Sequence, residues 1–135
     1  MGVLKAELSL SSTNVLTSPV NVQVSVNVNA DSGSIIRGKV ASTSKSGSDV
    51  TVYKASDKLE SAYVYVKNMD EVRENFIYVY ADSTTDDPVV LKIAGGEFAY
   101  FPAQNDQTLK AYGTSVDQVI EYGVFGLDSS SVTLG

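Results

Sequence analysis

Val20-Asn21-Val22-Gln23-Val24-Ser25-Val26-Asn27-Val28 carries a valine at every second position and an uncharged polar residue between each pair. Successive strand side chains point to opposite faces, so a β-strand here puts every valine on one side and every amide or hydroxyl on the other. Branching at Cβ costs valine χ1 freedom in a helix, which favours the same reading. The polar face of this strand holds no charge, and an uncharged, β-prone run at a sheet edge invites association with other chains. Two readings stay open: a protected central strand, or an edge completed by a neighbouring subunit. On the second, Val20, Val22, Val24 and Val26 are candidate interface residues.

The β signal extends outward from this run over nearly the whole chain. Further strands are expected near Val3–Ser11, Ser34–Ala41, Asp49–Lys54, Ala62–Asn68, Phe76–Ala81, Val89–Ala94, Glu97–Phe101, Leu109–Gly113 and Val119–Phe125. Pro19 and Pro88 stand just before strands and Pro102 just after one, where a missing N–H does least harm. Ala94-Gly95-Gly96-Glu97 is expected to make a tight hairpin, because glycine enters the positive φ of a primed turn freely. Ser56–Ser61 and the Val116, Val119, Ile120 spacing are weak helix signals, too short to hold a helix without tertiary support. Many short strands separated by turn residues indicate an all-β, antiparallel β-sandwich of jelly-roll or Greek-key type. The expectation is one domain over residues 1–135, with 1–18 and 129–135 as polar arms and Ala41–Asp49 as a surface loop.

Composition narrows the chemistry. The 135 residues include no cysteine, histidine or tryptophan, which removes disulfides, thiolate nucleophiles, Cys/His zinc sites and imidazole acid–base catalysis. Ten basic residues against sixteen acidic give a formal charge of −6, a poor match to nucleic acid phosphates. No run approaches the ~18 apolar residues of a membrane span. Lys5 and Glu7 interrupt the opening where a secretory signal needs an apolar run. The serines have no histidine to activate them and no G-x-S-x-G elbow, and Gly95-Gly96 is not followed by the Lys-Ser/Thr of a phosphate loop. Asp82, Asp86 and Asp87 could offer oxygen ligands to calcium, although their spacing fits no EF-hand and a charged loop of this kind is usually just solvated. No enzyme, cofactor or metal is expected.

A tyrosine-rich pair of strands is the other candidate site. In Ala62–Asn68, Val64 and Val66 share one face and Tyr63 and Tyr65 the other. In Phe76–Ala81, Ile77 and Val79 share one face, and Phe76, Tyr78 and Tyr80 the other. If the two strands pair as a hairpin, Tyr63, Tyr65, Tyr78, Tyr80 and Phe76 make one aromatic surface. That surface either packs beneath the second sheet or forms a contact face for a subunit or ligand.

Several segments of the second half resemble small virion structural proteins of tailed bacteriophages, especially those infecting marine cyanobacteria and other marine bacteria. They are Ala62-Tyr-Val-Tyr-Val-Lys-Asn68, Ile77-Tyr-Val-Tyr-Ala-Asp82, Leu91–Pro102, Leu109-Lys-Ala-Tyr112 and Val119–Phe125, about half of the chain. The resemblance implies a many-copy part of a virus particle. A capsid decoration or cement protein bridging neighbouring subunits comes first, and a tail or neck component second. It brings no catalytic residues. Its implied partners are the major capsid protein or other virion proteins, with self-association as a trimer or another cyclic assembly. It implies synthesis in the host cytoplasm and residence on the virion, while the charge balance and the lack of an apolar span give no expectation of a nucleic acid or membrane partner. A carbohydrate- or receptor-binding β-sandwich is the remaining alternative, suggested by the tyrosine face and weakened by the lack of tryptophan.

Overall fold

Alternating apolar residues become strands throughout the chain. The computed structural model describes residues 2–14, 17–30, 32–45, 49–55, 59–82, 88–104 and 106–128. Ten strands lie where the alternation places them, and no α-helix occurs among the described residues. They are β1 (Gly2–Ser12), β2 (Val20–Ala30), β3 (Ser32–Lys39), β4 (Val50–Tyr53), β5 (Leu59–Asn68), β6 (Ile77–Asp82), β7 (Val89–Ile93), β8 (Phe98–Ala103), β9 (Thr108–Gly113) and β10 (Val119–Asp128).

The last eight strands pair by doubling back. β6 pairs with β7, β5 with β8, β4 with β9 and β3 with β10, all antiparallel. Two further pairings, β10 with β5 and β9 with β6, complete two four-stranded sheets of order β3-β10-β5-β8 and β4-β9-β6-β7. This is an all-β antiparallel sandwich, and the nested doubling back gives it the jelly-roll arrangement. From β3 to β10, every connection except β6 to β7 passes from one sheet to the other.

Between the sheets lies one apolar layer. β5 contributes Ala62, Val64 and Val66, β6 Ile77, Val79 and Ala81, and β9 Leu109 and Ala111, with Val40, Val52, Ile93 and Ile120 around them. Each fully buried Val or Ile contributes roughly 1.5–3 kcal/mol relative to exposure. The layer is built from many modest side chains instead of a few large ones.

Several expectations are corrected. β5 and β6 do not form a hairpin: they lie in different sheets, so their tyrosines do not make one surface. The Ala94–Glu97 turn is not a primed hairpin either, since β7 and β8 also lie in different sheets. Glu97 N–H donates to the Ala94 carbonyl at 3.0 Å, and only Gly96 has positive φ, at 85°. Positive φ at the second central residue alone is the type II pattern, which turns the chain out of its sheet. Ser9–Ser12 belong to β1, in the two-stranded β1-β2 sheet, and 129–135 lie outside the described residues. Of the weak helix signals, Leu59–Ser61 lie in β5 while 56–58 fall outside the described residues, and the 116–120 stretch makes the turn before β10 and its first residues.

Asn68 joins two of these sheet-to-sheet connections. It is fully buried, and its Nδ2 donates to the Asn75 carbonyl (2.7 Å) and the Ile93 carbonyl (2.9 Å), while Oδ1 accepts from Asp70 N–H (3.1 Å). Its own carbonyl accepts from Gly96 N–H at 2.9 Å. The 69–76 connection and the 94–97 turn are thereby held against each other. Gly95 is pressed into this junction, where an added Cβ would sit 2.1 Å from the Val72 carbonyl oxygen. Gly95→Ala is therefore expected to lower stability by about 2–3 kcal/mol through overpacking. Gly96→Ala meets no neighbour within 4 Å and carries only the positive-φ cost, about 1 kcal/mol. Urea unfolding of the two variants checks that order.

Candidate functional site

Seating Val64 and Val66 in the core turns Tyr63, Tyr65 and Lys67 to the outside of the β3-β10-β5-β8 sheet. The cross-strand register builds three ranks there: Gly33, Phe125, Tyr63, Pro102; then Ile35, Gly123, Tyr65, Tyr100; then Arg37, Glu121, Lys67, Phe98. The outer face of an antiparallel sheet is ordinarily its polar, solvated side. Here it is rich in aromatic rings. Phe98 and Ile35 are 63% and 59% exposed, and Tyr63, Tyr65, Tyr100 and Phe125 are half-buried. Tyr63 and Tyr100 lie with ring planes 9° apart and centroids 6.4 Å apart.

A charged triad borders the rings. Tyr65 Oη donates to Glu121 Oε1 (2.7 Å), and Arg37 Nε donates to Glu121 Oε2 (2.8 Å). These two hydrogen bonds hold the Glu121 carboxyl below its ordinary range, the Tyr65 bond contributing most. Burial and then the Glu121 bond push the Tyr65 phenol up to about 12. Burial likewise raises the Tyr100 phenol, with Tyr63 adding to it. The Tyr100 hydroxyl is enclosed and has no hydrogen-bond partner among the described residues. A phenol in that condition carries a desolvation cost of about 1–3 kcal/mol.

The second half of the expected tyrosine surface lies on the outside of the other sheet. Tyr78 stacks on Tyr112 with centroids 5.1 Å apart, Phe76 flanks it at 6.4 Å, and Lys92 Nζ sits 4.3 Å from the Phe76 ring centre. Tyr80 is no surface residue. It is 2% exposed, and its hydroxyl donates to Asp49 Oδ2 at 2.5 Å, while Ser42 Oγ donates to the other Asp49 oxygen. The chain before β4 thus lies over Tyr80, and Lys45 Nζ approaches its ring to 5.7 Å. Of the four tyrosines, Tyr63 and Tyr65 come together, Tyr78 faces the opposite way, and Tyr80 is covered.

Sequence reasoning missed Tyr100, Phe98, Pro102, Phe125 and Ile35 as partners of Tyr63 and Tyr65. The alternation Phe98, Tyr100, Pro102 carried the signal, but only register brings it beside β5. As for the acidic loop, Asp82 pairs with Lys110 at 3.1 Å, and Asp86 and Asp87 lie outside the described residues. Among the described residues, no group of three or more acidic side chains is placed to hold a metal ion.

The valine strand is neither central nor part of either four-stranded sheet. β2 pairs only with β1, over eleven residue pairs from Gly2↔Ala30 to Ser12↔Val20. Directly opposed residues share a face, so Leu4, Ala6, Leu8 and Leu10 join Val20, Val22, Val24, Val26 and Val28 on one side. Leu8, Leu10, Val22, Val24 and Val26 are 40–56% exposed. All of the charge in β1, Lys5 and Glu7, lies on the opposite side as an exposed pair 2.9 Å apart.

The triad sets an acid and an alkaline limb of stability. A carboxyl depressed by folding stabilises above its unfolded pKa and loses that contribution as pH falls through the folded value. Wild type is therefore expected to lose more stability between pH 7 and pH 3 than Glu121→Gln. A phenol raised from 10.0 to about 12 contributes below pH 10 and loses this as pH rises through about 12. In a spectrophotometric titration, Tyr65→Phe should remove a late-ionising phenol. An unchanged alkaline limb would contradict the triad.

Comparison with protein-family models, with curated proteins and with solved structures finds no match to this chain.

Proposed function

We propose that this chain is a non-enzymatic structural component of a bacteriophage virion, a capsid decoration or cement protein that bridges and stabilises neighbouring capsid subunits. The observation that carries the contact role is the aromatic outer face of the β3-β10-β5-β8 sheet. Tyr63, Tyr65, Tyr100 and Phe98 stand where a free-standing sandwich presents polar groups to water, and Phe98 and Ile35 are 63% and 59% exposed there. Tyrosine and phenylalanine are enriched at protein interfaces, where the ring is buried and a hydroxyl finds a partner. The virion context rests on the resemblance of the β5–β10 segments. Jelly rolls host many unrelated activities, so the fold itself is no argument for it.

On this reading the protein is made in the host cytoplasm and resides on the capsid surface, with the major capsid protein as its partner. A tail or neck component would use the same face, and copy number per particle separates the two locations. The near-parallel Tyr63 and Tyr100 rings, bordered by the Tyr65–Glu121–Arg37 triad, also suit a sugar ring and its hydroxyls. That is the second reading.

Purified protein added to undecorated shells is expected to bind and raise their melting temperature. Tyr63→Ala with Phe98→Ala should weaken binding at least tenfold while leaving the sandwich folded. No binding by wild type would sink the decoration role. Repeatable glycan-array binding lost in Tyr63→Ala would move the face to carbohydrate.

A further inference from the structure

The β1–β2 ribbon leaves an apolar face uncovered, and we infer that a second copy of this chain covers it, ribbon against ribbon. An isolated two-stranded ribbon is at best marginally stable in water and needs an apolar face packed against something. This ribbon runs eleven residue pairs and meets the rest of the chain chiefly along β10, so most of its face receives no cover from the sandwich. No element among the described residues covers most of that face.

Three features select a second copy as the cover. The face is charge-free over all its length, with Lys5 and Glu7 on the other side. Two chains of formal charge −6 can meet here without burying a charge, whose desolvation costs several kcal/mol. The face is also self-complementary: its rows of valine and leucine have the side-chain chemistry of the sandwich's own core layer. On β2 the even-numbered residues form it, and on β3 the even-numbered Ser34 and Ile36 pair with Val124 and Tyr122, which pack against the core. The ribbon is thus one layer of a sandwich lacking its second, and an identical ribbon about 10 Å away supplies it.

Area sets the strength. Eleven residues at ~3.3 Å give a face about 36 Å by 10 Å, roughly 360 Å² per copy. That is about half of what each partner contributes to a standard-size interface of ~800 Å² a side. The association is therefore weak in dilute solution and becomes strong where copies are held side by side, because effective concentration then replaces bulk concentration. The inference stands on the ribbon alone and does not need the aromatic face or the virion reading.

The chain has no cysteine, so single cysteines report cleanly on this face. Leu8 and Val24 are opposed near the ribbon's middle, close to the axis of a two-fold pair, and Gln23 points the other way. Under mild oxidation at tens of micromolar protein, Val24→Cys and Leu8→Cys are expected to form covalent dimers at least five times faster than Gln23→Cys. Sedimentation of wild type should show concentration-dependent association, lost in Val24→Lys and kept in Gln23→Lys, with near-ultraviolet tyrosine dichroism confirming a folded sandwich. Equal cross-linking from both faces, or a wild type monomeric up to the millimolar range, overturns the inference. Monomeric protein that binds shells through Val24 assigns the face to the shell protein, overturning this inference and leaving the decoration reading in place. Val24-dependent self-association without shell binding does the reverse.

Discussion

The burial of Val64 and Val66 between the sheets is the constraint on which the surface chemistry depends. Both are fully enclosed, and both sit on a strand whose odd-numbered neighbours are Tyr63, Tyr65 and Lys67. A strand has two faces, so anchoring the valines inward leaves the tyrosines nowhere to go but outward. Register does the rest, setting Tyr100 opposite Tyr65 and Glu121 opposite Lys67. The aromatic outer face is thus a direct consequence of the core, and it is satisfied internally only in part. Glu121 gathers Tyr65 and Arg37, while the Tyr100 hydroxyl stays enclosed without a partner among the described residues.

Doubling back accounts for where the other tyrosines went. Because β5 pairs with β8 and β6 with β7, the short 69–76 connection carries the chain between sheets instead of turning a hairpin. Asn68, Asp70 and Asn75 make that crossing a fixed structure, with Asp70 accepting from Val72 N–H at 2.8 Å and from Asn75 Nδ2 at 3.2 Å. The result sends Tyr63 and Tyr65 to one side of the sandwich and Tyr78 to the other. Tyr80 points outward by parity but is roofed by the segment containing Ser42 and Asp49. Two aromatic clusters therefore lie on opposite sides of the sandwich.

The ribbon follows a different logic. The sandwich closes its own core, whereas β1 and β2 close none and show water a continuous row of leucine and valine. Natural edge strands usually blunt themselves with charge or proline. Here the charge is confined to the far face, which protects one side and leaves the other available.

Local pattern determined much of this protein. The alternation of apolar and polar residues located the ten strands, the all-β class and the two faces of β2, β5 and β6, because side-chain direction follows from backbone pleat alone. The valine row from Val20 to Val28 was legible as one face of a strand for the same reason, but whether that strand was central or at an edge was not, and the structure pairs it with β1 alone. Which strands lie side by side was decided only in three dimensions. The two hairpins considered, β5 with β6 and β7 with β8, both cross between sheets instead, because pairing energy depends on partners remote in sequence. Whether a tyrosine ends beside Tyr100, opposite Tyr112 or beneath Asp49 is set by that long-range register, which no local pattern contains.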